Sequence, residues 1–175
     1  MTKRNNSIRV TERVLIVMGV SGCGKSTIGH ALAQRLACPF LEGDDAHPAT
    51  NRAKMRQGVA LTDEDRWPWL MALAAEINRQ TEPQVIASCS ALKKSYRDHL
   101  RQEIHKEVRF IWLDVPRASL AERLATRTGH FMPASLLDSQ LATLEPPQGH
   151  DALRVAEPNI EQSLRKVLSW IERAM

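Results

Sequence analysis

A glycine-rich segment near the start of the chain has the residue types and spacing of a phosphate-binding loop. Residues 19–26 read GVSGCGKS and fit the pattern G-x-x-x-x-G-K-[ST] at every position, between an apolar run and a helical pattern. Glycines let backbone amides approach an anion closely, and the N-terminus of the following helix reinforces that attraction. The alternative is a glycine-rich turn with a coincidental Lys-Ser pair. The predicted nucleotide-binding residues are Gly19, Val20, Ser21, Gly22, Cys23, Gly24, Lys25, Ser26 and Thr27.

Within this loop, Lys25 is expected to reach the β- and γ-phosphates of ATP, and the Ser26 hydroxyl is expected to ligate Mg²⁺. The loop alone does not distinguish GTPases, motors, helicases and kinases. The chain lacks an Asn-Lys-x-Asp guanine-reading motif and is short for a helicase or motor core. These two observations favour a small kinase.

A pair of arginines predicts a lid over about residues 123–134. Arg123 and Arg127 are four residues apart and share a helix face. They lead into residues 128–133, where a glycine, His130 and a proline interrupt the helix. Two guanidiniums beside a bending segment suit a transferring phosphoryl group, and closure would exclude water. The alternative is a solvated arginine face on an ordinary helix.

The acidic turn Glu42-Gly43-Asp44 is the candidate for the acceptor side. One carboxylate there can act as a general base on a substrate hydroxyl, while the other can hold a metal-bound water. Taken alone, the segment is equally consistent with an acidic turn that caps a helix.

The elements that must position these residues alternate between strands and helices, which predicts an α/β fold: a five-stranded parallel sheet with helices on both faces. Strands are predicted at 14–18, 40–41, 85–87, 108–113 and 153–155. Helices are predicted at 28–36, 48–58, from Arg66 after a cap at Asp65, 117–127, 134–144 and 160–174. Ligands bind at the carboxyl ends of such strands. The loops 19–26, 42–47, 88–94 and 114–116 should therefore converge.

Length and composition predict one domain over residues 12–175, preceded by a flexible tail over 1–11. The 175 residues are 43% apolar and 25% charged, as in an ordinary globular protein. The net charge of +4 fits a protein that handles anions without saying which ones. Three cysteines without metal-type spacing predict reduced thiols in the cytoplasm, and no apolar stretch is long enough to cross a membrane.

Beyond the phosphate loop, the chain resembles the gluconate kinases, small P-loop kinases similar in fold to shikimate and nucleoside monophosphate kinases. The resemblance runs from about residue 14 to residue 147. It rests on residues 18–22, Gly43-Asp44-Asp45 with His47-Pro48, Asn51, Lys54-Met55, Gly58, Leu61, Asp63, Asp65-Arg66, Pro68-Trp69-Leu70, Cys89 to Lys94, Tyr96-Arg97-Asp98, Leu100-Arg101 and Gly129 to Met132.

The resemblance implies ATP- and Mg²⁺-dependent phosphorylation of D-gluconate at its 6-hydroxyl, with Asp44 as the catalytic base beside Lys25, Arg123 and Arg127. The family usually has Asp where this chain has Glu42, which we expect to act with Ser26 at the metal. The acceptor-binding segment spans about residues 44–80, and a homodimer is implied. The expected substrate-binding residues are Asp44, His47, Asn51, Lys54, Arg66, Lys93, Arg97 and His130. Some of these basic residues are expected only to solvate helix surfaces.

Three alternatives remain open from the sequence. The chain could be a kinase of another small hydroxy acid such as shikimate, or of a nucleoside monophosphate. It could be a regulatory module that binds nucleotide without phosphoryl transfer, although such a module needs no acidic turn. A nucleic-acid binder would use the positive charge, but the chain lacks basic stretches interleaved with aromatic residues.

Overall fold

A twisted layer of five parallel strands forms the centre of the fold. The computed structural model describes residues 12–126, 134–150 and 152–173, without the side chains of residues 134 and 135. The strands are β1 (Arg13–Met18), β2 (Phe40–Leu41), β3 (Gln84–Ser88), β4 (Glu107–Leu113) and β5 (Ala152–Val155). Their order is β2-β3-β1-β4-β5, and every neighbouring pair is parallel, which confirms the predicted parallel sheet.

Helices cover both faces of this sheet. They are α1 (Lys25–Leu36), α2 (Ala49–Arg56), α3 (Asp63–Arg79), α4 (Lys94–Glu103), α5 (Arg117–Thr126), α6 (Ala134–Thr143) and α7 (Ile160–Arg173). A short 3₁₀ turn, Gly43–Ala46, follows β2. Within the described ranges, no helix combines the length and apolar character needed to span a bilayer.

The central strand β1 serves two separate cores, which explains its unbroken apolar sequence. Val14, Ile16 and Met18 face a core formed with α3 and α4. Leu15 and Val17 face the opposite core, which includes α1 and α7. All five side chains are fully buried, as expected for a strand covered on both faces. The strand therefore ends rigidly at the loop that begins with Gly19.

The start of α3 differs from the prediction. Thr62, not Asp65, is the N-cap residue, and the helix begins at Asp63. The Thr62 side chain accepts a hydrogen bond from the Asp65 amide, while the Asp65 carboxylate accepts one from the Thr62 amide at 2.9 Å. This reciprocal capping box outweighs a single cap at Asp65. Pro68 consequently lies in the second turn of the helix instead of the first.

Gly43 occupies a position where a side chain would collide with the sheet. A Cβ atom there would lie 1.9 Å from the carbonyl oxygen of Ser88, which is backbone and cannot swing away. We expect Gly43→Ala to lower the free energy of unfolding by about 3 kcal/mol, measured by urea denaturation. Gly149→Ala is the control, since Gly149 has φ +57° in open space and should lose only about 1 kcal/mol. Equal losses in the two variants would contradict this close approach.

Candidate active site

Three of the predicted loops meet beyond the carboxyl ends of the strands. The Gly19 amide donates to the Ser90 carbonyl at 3.3 Å, and the Gly43 amide donates to the Ser88 hydroxyl at 3.0 Å. A groove of about 980 Å³ opens there. Its walls include residues 21–28, Asp44, Leu113, Val115, Arg123 and residues 157–161. The predicted convergence is thus confirmed for the loops 19–26, 42–47 and 88–94, and Val115 brings the fourth loop, 114–116, to the same groove.

The phosphate loop has the backbone shape that its glycines allow. Gly22 has φ +81° and Gly24 has φ +101°, a region that side chains disfavour. A Cβ on Gly22 would also lie 3.0 Å from the Leu124 side chain, because α5 packs directly on the loop. Helix α1 begins at Lys25 with no acidic residue in its first turn, so its amides and dipole favour an anion. This is the geometry of a phosphate site.

Two basic side chains lie at this loop. The Lys25 ammonium donates to the Val20 carbonyl at 3.1 Å, so it folds back over its own loop. Arg123 approaches the Cys23 carbonyl with Nη1 at 3.4 Å. The other two residues predicted for the lid region, Arg127 and His130, lie outside the described residues. Of the predicted arginine pair, Arg123 thus lies beside the phosphate loop.

The two cysteines near the loop are buried thiols. Cys23 lies within the loop itself, and burial raises the pKa of its thiol above the ordinary value of 9.0. Burial likewise raises the pKa of Cys89 to about 12. Both groups therefore stay protonated at neutral pH and contribute packing, not nucleophilic chemistry.

The acidic turn is fixed from both sides. The Ser88 hydroxyl accepts from the Gly43 amide and donates to the Glu42 carboxylate. On the other side, the Trp69 indole donates to the Gly43 carbonyl at 2.7 Å. The Asp44 side chain, in contrast, is 72% exposed and faces the groove of the phosphate loop. The turn thus presents the exposed Asp44 carboxylate to the groove on a backbone that is held from both sides.

The oxygen donors near the loop fit a magnesium ion. No group of three or more His, Cys, Asp or Glu side chains that could hold a metal occurs among the described residues. Mg²⁺ does not require such a cage, because it usually keeps several waters and takes one or two protein oxygens plus substrate phosphates. Ser26 lines the groove, and Glu42, which directly follows β2, has its carboxylate oriented by Ser88. Both side chains carry hard oxygen atoms of the kind that Mg²⁺ prefers.

His47 and Asn51 form a buried support next to Asp44. The His47 ring stacks on Trp69 at a centroid distance of 4.1 Å, and its Nε2 lies 4.0 Å from Asp44 Oδ1. The Asn51 side-chain amide donates to the Asp65 backbone carbonyl at 2.7 Å, and the same Nδ2 atom lies 3.3 Å from His47 Nδ1. Asn51 is only 2% exposed. Asn51 therefore supports the pocket wall through these contacts, and its direct contact with substrate stays a prediction.

The remaining predicted cations are paired with carboxylates. Lys54 makes hydrogen bonds to both Asp65 oxygens, at 2.7 and 2.8 Å. Lys93 holds Asp63 in the same way at 2.8 and 2.9 Å, and Arg66 lies 3.5 Å from that carboxylate. The hydrogen bond from Lys93 keeps the pKa of Asp63 below its ordinary value. The network is therefore charged at neutral pH.

Arg97, also predicted to bind substrate, is a buried side chain at the start of α4. It is 1% exposed, and its Nη1 donates to the carbonyls of Ala91 and Leu92 at 3.1 and 3.2 Å. Ala91 has φ +44°, an unfavourable conformation for a residue with a side chain. Arg97 therefore stabilises the loop that precedes Lys93, and its contact with substrate stays a prediction.

Sequence reasoning missed several residues that organise the site. Ser88 and Gln140 belong to no motif, and Asp63 was noted only as part of the family resemblance, without a role. Ser88 contacts residues 45 and 46 positions away, and Gln140 contacts a residue 119 positions away. Only Asp63 had a local signal, because it lies one turn before Arg66 on the same helix.

His47 predicts a specific pH dependence of stability. Burial, followed by the charges of Arg52 and Arg66, lowers its pKa from 6.5 to about 4. The unfolded chain therefore takes up this proton first as the pH falls. Keeping His47 neutral therefore contributes fully to the free energy of unfolding above pH 6.5. As the pH falls from 6.5 to 4, the folded protein loses this stabilisation, up to about 3 kcal/mol.

We expect the free energy of unfolding, measured by denaturant titration across this pH range, to fall less steeply for His47→Gln than for the wild type. The glutamine amide does not titrate, so its curve is the baseline. Parallel curves for the two proteins would show that the imidazole accepts its proton without penalty.

The fold and site together define a P-loop kinase. Residues 14–147 match a family profile described as an AAA domain. The gluconokinase of Gluconobacter oxydans (strain 621H) is 47% identical over 149 residues, 84% of this chain and 83% of that protein. The thermosensitive gluconokinase of Escherichia coli (strain K12) is 47% identical over 163 residues, 91% and 86% of the two chains. A crystal structure of a gluconokinase from Sinorhizobium meliloti 1021 superposes with a TM-score of 0.83, 46% identity and 93% coverage of each chain.

The chain belongs to the gluconokinase family, which confirms the resemblance seen in its motifs.

Proposed function

We propose that the protein transfers the γ-phosphoryl group of ATP to the 6-hydroxyl of D-gluconate, giving 6-phosphogluconate and ADP. The observation that carries this proposal is that Asp44 lines the same groove as Lys25 and Ser26. A nucleotide-binding module without transfer chemistry has no use for an exposed carboxylate facing its phosphates. The similarity of this chain to two gluconokinases makes gluconate the first acceptor to test.

In the proposed reaction, the phosphate loop binds ATP and Asp44 orients the acceptor hydroxyl. The hydroxyl oxygen forms a bond to the γ-phosphorus while the bond from that phosphorus to the β–γ bridging oxygen breaks. The hydroxyl proton passes to Asp44, and ADP leaves. Lys25 and Arg123, joined by Arg127 from the proposed lid, balance the charge that spreads over the transferring group.

Mg²⁺, held by Ser26 and directly or through water by Glu42, would neutralise charge on the β- and γ-phosphates. Glu42 has one more methylene than the aspartate usual in the family. The hydrogen bond from Ser88 gives its carboxylate a defined direction. This arrangement supports a role for Glu42 in holding a metal-bound water.

On the acceptor side, we assign the gluconate carboxylate to Lys93 and Arg66. Both cations contact the single Asp63 carboxylate, so one positive charge is left unbalanced, which supports the binding of a second carboxylate there. His47, Asn51 and Lys54 support the same wall through Trp69 and Asp65. We also propose His130 as a substrate contact from the lid. Arg97 holds the loop of Lys93 from behind.

From the family resemblance, we further propose a single kinase domain over residues 12–175, with an acceptor segment over about 44–80 and a lid over about 123–134. We place the enzyme in the cytoplasm as a homodimer without nucleic-acid or membrane partners. Light scattering coupled to size exclusion tests the dimer, for which a monomer mass would be the contrary result.

A substrate screen tests the proposed function. Purified protein with ATP and Mg²⁺ is assayed for ADP release in the presence of gluconate, shikimate or a nucleoside monophosphate. We expect ADP release only with gluconate, and a product phosphorylated at the 6-position by NMR. A preference for shikimate or a nucleotide would replace the acceptor assignment, and nucleotide binding without turnover would favour a regulatory module.

A further inference from the structure

Gln140 on α6 makes a paired contact with the phosphate loop. Its Oε1 accepts a hydrogen bond from the Ser21 amide at 2.7 Å, and its Nε2 donates to the Ser21 hydroxyl at 3.3 Å. The two bonds define the orientation of the side-chain amide, because the reverse orientation would place an NH₂ group against the Ser21 N–H. Both side chains are partly buried. A residue 119 positions away in sequence is thereby attached to the turn of the loop before Gly22.

This attachment fixes a segment that is otherwise prone to disorder. The loop contains three glycines within six residues, and such a backbone loses much conformational freedom when it is ordered. Helix α6 is itself held by Leu137, which is 1% exposed in the core on the α1 side. Gln140 therefore connects the phosphate loop to a helix that is anchored in the core, which holds the loop in place without bound nucleotide.

The chain just after α6 is attached to the opposite side of the site. The Glu145 amide donates to the Leu92 carbonyl at 2.9 Å, and the Glu145 carboxylate accepts from the Lys94 amide at 2.6 Å. Glu145 thus caps the start of α4, next to Lys93 on the acceptor wall. Gln140 on α6 and Glu145, two residues beyond the end of α6, thus hold loops that serve different substrates.

We propose that Gln140 is a positioning residue that shapes the phosphate loop for nucleotide through Ser21, while Glu145 does the equivalent for the acceptor wall. The proposal rests on the proposed function for its acceptor half. Its nucleotide half depends only on the binding of ADP. If these residues merely stabilised α6, replacing either one would weaken the binding of both substrates equally. If they position separate loops, each replacement should weaken the binding of one substrate only.

The experiment compares Gln140→Ala with its matched control Glu145→Ala. Dissociation constants for ADP with Mg²⁺ are measured by calorimetry, and KM values for ATP and gluconate by a coupled assay. For Gln140→Ala, we expect about tenfold weaker ADP binding and a gluconate KM within about twofold of wild type. For Glu145→Ala, we expect the converse pattern. ADP binding by Gln140→Ala within about twofold of wild type, or parallel losses in both variants, would overturn the proposal.

Two further variants test the proposal even if Gln140→Ala destabilises α6. They are Ser21→Ala and the double variant Ser21→Ala/Gln140→Ala. Ser21→Ala removes only the hydroxyl contact, so ADP affinity should fall about two- to threefold. The double variant should bind ADP about as weakly as Gln140→Ala alone, because the two side chains share one interaction. Full additivity of the two losses would contradict coupling through Ser21. A wild-type protein that binds ADP but does not phosphorylate gluconate would refute the proposed function and leave the ADP comparison valid.

Discussion

Replacing Lys25 with methionine is expected to lower kcat by about 10²- to 10³-fold, or roughly 3–4 kcal/mol of transition-state stabilisation. The Lys25 ammonium rests on the Val20 carbonyl at 3.1 Å, within the loop that would surround the phosphates. From there it can reach a transferring phosphoryl group, where charge develops during the reaction. Methionine keeps a long side chain of similar shape and removes only the charge. The measurement is steady-state ADP release with saturating gluconate.

Lys94→Met is the matched control for this prediction. Lys94 begins α4, is 61% exposed, and pairs with Asp98 at 2.6 Å. Loss of an exposed pair four residues apart changes stability by only about 0.3–0.5 kcal/mol, so kcat should stay near that of wild type. If Lys25→Met retained nearly normal turnover, or if Lys94→Met lost as much, the role of Lys25 would be disproved.

Asp44→Asn should produce a comparable loss, about 10²- to 10⁴-fold in kcat, because an amide cannot accept the proton of the acceptor hydroxyl. The Asp44 side chain is 72% exposed, while the Gly43 backbone before it is held by Ser88 and Trp69. The substitution therefore removes the carboxylate without disturbing its support. We expect ADP affinity to remain near that of wild type, as measured by calorimetry alongside the kinetic assay.

Asp45→Asn provides the control for Asp44 within the same turn. Asp45 is also exposed, and its amide donates to the Glu42 carbonyl at 3.1 Å, a bond that asparagine retains. Its kcat should remain close to that of wild type. Similar losses in both variants would attribute the effect to the net charge of the turn and remove Asp44 from its role as base.

The sequence predicted the elements with strong local signals. The apolar run of β1 and the glycine pattern of the phosphate loop need no distant residue to be recognised. Helix α3 began at Asp63, ahead of the predicted start, because its capping box depends on two side chains acting together. The helix α4 was not predicted as an element, although its basic residues were noted. Lys93 and Arg97 were both predicted to bind substrate, while the fold buries only Arg97.

The candidate site followed the same division. Lys25 and Asp44 could be found from motif and resemblance, because their chemistry lies in loops at the ends of strands. The contacts that hold those loops could not be predicted, since Ser88, Trp69 and Gln140 bind partners between 26 and 119 positions away. Such pairings depend on the order of strands in the sheet, which no local pattern encodes. The bidentate pairing of Lys93 with Asp63, 30 positions away, is of the same kind.

The most direct test of the central claim is a crystal structure of the protein with a non-hydrolysable ATP analogue, Mg²⁺ and gluconate. We predict that the amides of residues 22–26 surround the phosphates and that an Asp44 oxygen lies within about 3 Å of the gluconate hydroxyl facing the γ-phosphate. Phosphates bound elsewhere, or an Asp44 carboxylate turned away from both substrates, would contradict the account.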